Sequence, residues 1–249
     1  MVTGEPMPAL RQNGDRVSAG SLNLSTSIKL QVTRVAAESF IARMARLVEE
    51  AQDRKAPIQS TADRVATIFV PLVAGLAIGM FSSAANEVIN LVFGVWMETS
   101  FGLQIAALGA AAAVIGLAEL SGESLVGFFV DRLGKPRAII FGLLTNCLSA
   151  LIFPSLGQTL PGAVLGLFLF YLSFEFTLVS TIPMMTEIVP TARATVMAMN
   201  ITALSLGRAL GAFVAPTLFA WGMGTSAAAA IVFNLLALMA LRWVRYQDH

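Results

Sequence analysis

The stretch GFFVDRLGKPR, residues 127–137, separates two long apolar runs and carries a cluster of charges between them. One acid, Asp131, stands close to three bases, Arg132, Lys135 and Arg137. Each flanking run reaches the about 20 apolar residues that a helix needs to cross a bilayer. A short basic connection between two such runs indicates a turn on the cytoplasmic side of a membrane. This stretch therefore predicts that two membrane helices meet here.

The composition supports a polytopic membrane protein. Of the 249 residues, 56% are hydrophobic and 12% are charged, whereas soluble domains carry about 25% charged residues. Residues 1–64 hold 16 of the 31 charged side chains, which leaves the rest of the chain strongly apolar. We predict a mostly α fold with DRLGKPR as a loop and six transmembrane helices, at roughly 75–97, 102–130, 137–157, 160–187, 194–220 and 224–243.

The Lys and Arg residues of the short loops predict the orientation. Arg193 lies in the next loop on the side of residues 131–137, and Arg242 and Arg245 lie in the tail. The three loops on the other side contain no Lys or Arg. Because basic loops stay on the cytoplasmic side, we expect a multi-pass protein of the plasma membrane with both termini in the cytoplasm.

Ionisable residues inside the predicted spans are the candidate transport residues. Glu87, Glu119, Glu123, Glu175 and Arg208 all interrupt apolar helices. A charge at the bilayer centre costs about 2.5–3.5 kcal/mol, so these side chains should face a bundle interior or a water-filled path. Glu119 and Glu123 are four residues apart and share one helix face, and two like charges favour the binding of a proton by one of them. We assign solute or proton handling first to Arg208 and Glu123. Structural pairing with Arg208, or a position near the membrane surface, is the alternative.

The loop 127–137 resembles the G-x-x-x-D-R-x-G-R/K-x-R/K loop of the major facilitator superfamily. Six residues match that pattern: Gly127, Asp131, Arg132, Gly134, Lys135 and Arg137. The resemblance extends over residues 75–245 and includes ANEVINLVFGVW and GRALGAFVAP. It implies a six-helix unit, the C-terminal half of a facilitator bundle, in which two halves enclose a site at the bilayer midplane.

The same resemblance implies roles for the loop. Asp131 ends a helix, where the macrodipole disfavours an acid, and in the family it faces the N-terminal end of the fifth helix, here near Ala194. Asp131 and Arg132 would then gate the inner loop. The small residues Gly207, Gly211 and Ala215 in the fifth helix predict a close helix contact.

The N-terminal residues follow a different pattern. Residues 13–36 alternate and turn, with a hairpin signal at Asn13-Gly14, and this predicts strands. From Glu38 an apolar stripe predicts an amphipathic helix, formed by Phe40, Ile41, Met44, Leu47, Val48 and Ala51. We therefore divide the chain into a small partial β-domain at 1–36, a linker helix and the start of a membrane helix at 37–74, and a transport domain at 75–249.

Residues 3–73, with TGEP near their start and KAPIQSTADRVATIFVPLV at their end, resemble the actuator region of heavy-metal (copper-type) P-type ATPases. The resemblance implies that Glu5 positions water for hydrolysis of an aspartyl phosphate, with Thr3 and Gly4 shaping the turn. The sequence contains no DKTGT, no CPC and no glycine-rich phosphate loop. We therefore expect Glu5 to be vestigial and the chain to be no enzyme. With one cysteine, Cys147, and no metal-ligand spacing, we expect no cofactor and no metal site.

The apolar run at 65–97 would form a helix about 50 Å long, against a hydrocarbon core of about 30 Å. It predicts a pump helix joined to a carrier helix near residues 71–80, kinked at Pro71, Gly75 or Gly79. The first hypothesis is a secondary-carrier half for proton-coupled efflux of a small molecule. Its expected partners are the bilayer, an unidentified small-molecule or ion substrate, and another half or a second copy, but no nucleic acid. The alternatives are a fragment of an ATP-driven heavy-metal pump and an inactive fusion product.

Overall fold

The computed structural model of the chain describes residues 8–17, 21–33, 44–49 and 57–245, with side chains from 65 to 242 in the last range. The chain divides into two compact units, residues 1–64 and 65–249. Each unit is described by itself below.

In the described residues of the first unit the predicted turn is present and the predicted strands are not. The backbone N–H of Asp15 donates to the carbonyl of Gln12 at 3.1 Å, and Gly14 takes a positive φ of 96°. Residues 8–17 and 21–33 contain no strand and are exposed. The physical reason is that an isolated hairpin is at best marginally stable in water without further strands or a helix to cover it.

The predicted linker helix is partly within the described residues. Residues 44–49 are helical, and their apolar side chains Met44, Leu47 and Val48 are exposed. The other predicted members of the stripe, Phe40, Ile41 and Ala51, lie outside the described residues, as do Thr3, Gly4 and Glu5.

Seven α-helices lie in the range 57–245: α1 (Pro57–Asn90), α2 (Phe93–Phe101), α3 (Ile105–Leu133), α4 (Lys135–Leu156), α5 (Leu160–Ile188), α6 (Arg193–Phe219) and α7 (Met223–Arg245). Within that range six segments are long and apolar enough to cross a membrane, the first of which contains α2 and most of α1. This agrees with the six spans predicted from hydropathy.

The loop predicted at 131–137 is almost entirely helical, and this prediction was wrong. Helix α3 continues to Leu133 and α4 begins at Lys135, so that Gly134 alone connects them. Gly134 has φ 79°, a value that side chains disfavour and glycine accepts. Pro136 then occupies the first turn of α4, where its missing N–H costs no hydrogen bond.

The long first span is interrupted at a different place from the predicted one. Helix α1 continues through Pro71, Gly75 and Gly79, and the break comes at residues 91–92, between α1 and α2. Trp96 of α2 then packs on Phe153 of α4, with ring centroids 5.1 Å apart. The aromatic contact holds the short helix against the bundle.

Helix α5 is the centre of the second unit. It packs against α3, α4 and α6, while α7 covers α4. In its most apolar stretch 50% of the residues are buried, which is the largest share among the six spans. Helix α6 lies directly on α1, because a Cβ added to Gly207 would overlap the carbonyl of Met80. The predicted close contact at the small residues of α6 is therefore confirmed.

A buried amide cluster joins the other side of the bundle. Asn146 of α4 donates from Nδ2 to the carbonyl of Phe170, at 2.8 Å, and to Oγ of Ser173, at 3.0 Å. Asn234 of α7 donates from Nδ2 to Oδ1 of Asn146 at 2.7 Å. Asn146, Ser173 and Asn234, here called the amide cluster, thus link α4, α5 and α7 through satisfied polar groups.

Candidate functional site

The ionisable residues of the spans meet in one cavity of about 340 Å³. Four helices contribute to it: α1, α3, α5 and α6. The cavity, here called the carboxylate cavity, is lined by Asn86, Glu87, Asn90, Glu119, Glu123, Phe174, Glu175, Leu178 and Arg208. All five ionisable residues singled out from the sequence are among them, although they are up to 121 positions apart in the chain.

A glycine brings the acids of α3 to the acid of α5. Gly122 lies between Glu119 and Glu123, and a Cβ added there would be 2.7 Å from the carbonyl oxygen of Leu172 and 3.0 Å from Cβ of Glu175. A larger side chain would force the two helices apart. The missing side chain at Gly122 therefore sets three carboxylates on facing surfaces.

A second glycine brings α6 to the acid of α1. A Cβ on Gly211 would lie 2.7 Å from the carbonyl oxygen of Ala84 and 2.7 Å from Cβ of Glu87. Arg208 precedes Gly211 by three residues and lines the cavity. Because residues three apart lie on neighbouring positions of a helix face, the glycine contact places the guanidinium of Arg208 at the same cavity as Glu87.

Hydrogen bonds orient the acid on α1. The hydroxyl of Tyr171 donates to Oδ1 of Asn90 at 2.8 Å. Nδ2 of Asn90 donates to both carboxylate oxygens of Glu87, at 3.4 Å each. Tyr171 is 1% exposed, so its hydroxyl has a fixed position. The carboxylate of Glu87 is thereby held by its own helix and by α5.

Arg208 makes no ion pair with any of the four carboxylates in the part of the chain that the structure describes. Glu119 and Glu175 are nevertheless both within electrostatic range of Arg208 and of Glu123. Four carboxylates around one guanidinium give a formal charge of −3 when all are ionised. The arrangement suits a proton or a cation, and direct pairing with Arg208 does not account for these acids.

Metal-ligating side chains do not form a cluster in the part of the chain that the structure describes. Among the described residues, no three His, Cys, Asp or Glu side chains come close enough to hold a metal ion.

The residues of the loop lie at the end of the bundle and outside the cavity. Gly127, Asp131, Arg132, Gly134 and Arg137 are exposed. Lys135 at the start of α4 forms an ion pair with Glu187 near the end of α5. Within residues 57–245, no hydrogen bond or ion pair joins Asp131 to the start of α6. The expected contact of Asp131 with that helix end stays a prediction.

Several lining residues were not found by sequence reasoning. Asn86 and Asn90 are one turn apart in α1 and flank Glu87, so their polarity inside an apolar run was a usable signal. Oδ1 of Asn86 is buried and has no hydrogen-bond partner among the described residues. Phe174 and Leu178, and Tyr171 which bonds Asn90 from outside the lining, gave no such signal, because aromatic and aliphatic residues are the ordinary content of a membrane helix.

The family of the chain follows from a match to a known sequence profile. The profile of the Major Facilitator Superfamily matches residues 67–249, which contain the whole cavity. The chain belongs to the major facilitator superfamily. This major facilitator protein is a membrane protein whose six helices form one transporter half. A second profile, that of the P-type ATPase actuator domain, matches residues 1–49.

The N-terminal region of this major facilitator protein is similar to copper pumps. Over 95 residues, 36% of this chain, it is 42% identical to the "Probable copper-exporting P-type ATPase V" of Mycobacterium tuberculosis. Over 73 residues, 29% of this chain, it is 49% identical to a probable copper-transporting ATPase of Arabidopsis thaliana. The chain spans 12% and 7% of the lengths of these relatives. No solved structure matches the chain.

Proposed function

We propose that this chain is the half of a secondary carrier that moves a small cationic solute in exchange for protons. The observation that carries the proposal is that four glutamates and one arginine, from four separate helices, line a single cavity. Intramembrane ionisable residues are costly and mark ion or substrate paths. Their convergence on one wall supports a common task.

The carboxylates are the proposed proton carriers. Glu119, Glu123 and Glu175 lie on facing surfaces of α3 and α5 and have no ion-pair partner among the described residues. A carboxylate that is free of a fixed cation can take up a proton or a cationic solute in turn, because both relieve the same negative charge. Competition between proton and solute for these oxygens gives exchange without a further component.

The proposed solute is a small organic cation with an aromatic ring. The charge of the wall favours a cation, and the wall includes the ring of Phe174 and the side chain of Leu178 beside the acids. An aromatic face attracts a cation and stacks on another ring. When no solute is bound, the guanidinium of Arg208 would partly neutralise the negative charge of the cavity.

Ethidium is a suitable probe for the proposed exchange. The full chain in proteoliposomes with an acidic interior should accumulate external ethidium, followed by its fluorescence. Glu119→Gln and Glu175→Gln should lower the initial rate at least about tenfold, since an amide does not exchange protons. Glu187→Gln, which changes an acid outside the cavity, is the matched control and should keep the rate. Equal accumulation in protein-free liposomes would contradict the proposal.

We also propose a plasma-membrane location with both termini in the cytoplasm, and a gating role for Asp131 and Arg132 at that side. The support is the distribution of Lys and Arg among the loops. In a Cys147→Ser background, Arg193→Cys should react with an impermeant maleimide only in inside-out vesicles. Trp221→Cys, exposed in the connection before α7, should react only in right-side-out cells. The reverse pattern would refute this orientation.

A P-type role for the N-terminal region is the second candidate, because the actuator profile matches residues 1–49. We propose that this region does not drive transport in this chain, since the sequence contains neither DKTGT nor CPC. The purified chain should hydrolyse ATP no faster with cuprous ion than without it. A copper-stimulated rate that disappears in Glu5→Ala would favour the pump instead.

A further inference from the structure

Glu87 differs from the other acids of the carboxylate cavity in how it is held. Nδ2 of Asn90 donates to both of its carboxylate oxygens at the same distance, 3.4 Å. Among the described residues, no hydrogen bond or ion pair reaches the carboxylates of Glu119, Glu123 or Glu175. The acid of α1 therefore has a defined orientation, whereas the other three acids are free to turn.

The orientation of Asn90 is fixed from α5. Its Oδ1 accepts a hydrogen bond from the hydroxyl of Tyr171 at 2.8 Å, so its Nδ2 is the atom that remains for Glu87. Tyr171 is buried in the apolar core, and its ring packs edge-on against that of Phe170. A side chain enclosed in this way keeps its position, because a close-packed interior leaves few alternative rotamers. The central helix of the unit thus orients the carboxylate of Glu87 through Asn90.

Asn86 adds a hydrogen-bond acceptor beside this carboxylate. It precedes Glu87 and lines the cavity, and its Oδ1 is buried without a partner among the described residues. A buried acceptor without a donor costs free energy, and each such group in a native structure calls for a reason. The residue as a whole is only partly buried, so rotation about its Cβ–Cγ bond presents Oδ1 to the cavity. An N–H group of a ligand would satisfy the acceptor there.

The two groups together fit one chemical class of ligand. A carboxylate attracts a positive charge, and an amide oxygen accepts a hydrogen bond. Arg208 makes no ion pair with Glu87 among the described residues, so this carboxylate can bind a cation from the cavity. Specific recognition requires groups that packing and hydrogen bonds hold in place. Glu87 meets that requirement, whereas the acids of α3 and α5 supply charge without a fixed direction.

We propose that α1 selects the solute. The carboxylate of Glu87, which Asn90 and Tyr171 orient, binds the cationic centre. Oδ1 of Asn86 accepts a hydrogen bond from an N–H group elsewhere on the same solute. This inference rests on the proposed function and narrows its solute from aromatic cations in general to those with an N–H donor apart from the charged centre. The acids of α3 and α5 remain the proton carriers.

A double-mutant cycle tests the positioning of Glu87. Titration calorimetry of the purified full chain with ethidium gives the Kd. Glu87→Gln should raise the Kd at least about tenfold, and Tyr171→Phe about fivefold. In the Glu87→Gln background, Tyr171→Phe should change the Kd less than about twofold, because its hydroxyl acts only through that carboxylate. Equal effects of Tyr171→Phe in both backgrounds would overturn the positioning role and indicate a structural one.

Ser180→Ala is the matched control for Tyr171→Phe. It also removes one buried hydroxyl of α5, and Oγ of Ser180 donates within its own helix to the carbonyl of Phe176. It should keep the wild-type Kd. Each variant is checked for membrane insertion and for a monodisperse elution. If Tyr171→Phe is misfolded, Asn90→Leu takes its place with the same expected pattern.

A pair of probes tests the role of Asn86. Ethidium carries aromatic amino groups in addition to its quaternary nitrogen, and its fully deaminated analogue keeps the cation and the rings without the N–H donors. The wild-type chain should bind ethidium about tenfold more tightly than the analogue. Asn86→Leu should reduce this ratio to less than about twofold, because the acceptor is gone. An unchanged ratio in Asn86→Leu would overturn the assignment of Asn86.

The proposed exchange and the selection by α1 can fail separately. Proton-driven accumulation that Glu119→Gln abolishes, together with equal binding of both probes by the wild-type chain, overturns the selection and leaves the exchange intact. The expected Kd pattern without proton-driven accumulation supports the selection and overturns the exchange. A wild-type chain that binds neither probe overturns both.

Discussion

The amide cluster and the carboxylate cavity lie in the same six-helix unit and treat their polar groups in opposite ways. In the amide cluster, Asn146 and Asn234 are each 2% exposed and their side-chain amides are hydrogen-bonded to neighbouring helices. In the cavity, Glu119, Glu123 and Glu175 have no ion pair among the described residues, and Glu123 and Arg208 are exposed. The polar atoms of the amide cluster hold helices together. The carboxylates of Glu119, Glu123 and Glu175 are not used in this way.

This difference predicts how each region responds to substitution. Removing a satisfied buried amide leaves its former partners unpaired and costs stability. Removing an acid that has no partner costs little stability and removes its chemistry. The four changes below are ordered by their expected effect on the free energy of unfolding.

The largest effect is expected where two backbones touch. Gly207→Leu would force α6 away from the carbonyl of Met80, and we expect a loss of about 3 kcal/mol or more in the free energy of unfolding. Detergent-induced unfolding in mixed micelles, followed by circular dichroism, measures it. Ala209→Leu, at an exposed position two residues away, is the matched control and should cost less than about 0.5 kcal/mol. Equal losses in the two variants would show that the α1–α6 contact does not frame the cavity.

An intermediate effect is expected in the amide cluster. Asn146→Leu removes the acceptor of Nδ2 of Asn234 and the amide that donates to Oγ of Ser173, and about 1–2 kcal/mol should be lost. The same unfolding titration measures the loss, and ethidium transport by the surviving protein should be retained. Thr145→Val is the control, because the Thr145 hydroxyl donates only within its own helix. An Asn146→Leu protein of wild-type stability that no longer transports would reverse the roles assigned to the two clusters.

A small effect is expected at the end of the bundle. Lys135→Gln breaks the ion pair with Glu187, whose side chain is 61% exposed against 33% for Lys135. Water and salt screen such a pair, so we expect about 0.5 kcal/mol or less. The difference from wild type should shrink further when the titration is repeated at high salt. A loss of several kcal/mol, insensitive to salt, would indicate that the pair belongs with the amide cluster.

The smallest effect on stability, with the largest on transport, is expected in the cavity. Glu119→Gln removes a charge that no fixed cation pairs within the described residues, so the free energy of unfolding should change by less than about 0.5 kcal/mol. Proton release on addition of ethidium, measured with a pH dye in weakly buffered detergent solution, should decrease by about one proton per chain. If Glu119→Gln lowers the free energy of unfolding as much as Asn146→Leu does, the cavity residues stabilise the fold, and the stated difference between the two clusters is wrong.

Much of this contrast was accessible from the sequence, because apolar length and misplaced charge are local signals. Hydropathy predicted six spans, and the cost of a charge in lipid predicted that Glu87, Glu119, Glu123, Glu175 and Arg208 face the bundle interior or a water-filled path. Which neighbouring helix each acid faces became clear only from the packing of the helices in the structure. Gly122 and Asn86 needed the structure, because their roles depend on contacts with α5 and on the shape of the cavity wall.

The incorrect predictions share a physical cause. A charged heptapeptide at 131–137 has the composition of a loop, yet one residue with positive φ reverses the chain and leaves the rest helical. The alternation at 13–36 has the composition of strands, yet strand formation depends on neighbours that local pattern does not supply. Local composition predicts which secondary structure a segment favours. Whether the segment adopts that structure depends on its tertiary contacts.

The one-residue connection at Gly134 leaves the chain no slack between α3 and α4. The connection at residues 102–104 is three residues long and could lose one without unwinding a helix. Deleting Gly134 would instead consume a turn of helix, and an epitope tag inserted there would displace the start of α4 together with Lys135. Changes of chain length should therefore be accepted at 102–104 and rejected at 134, which makes residues 102–104 the place to insert a reporter peptide.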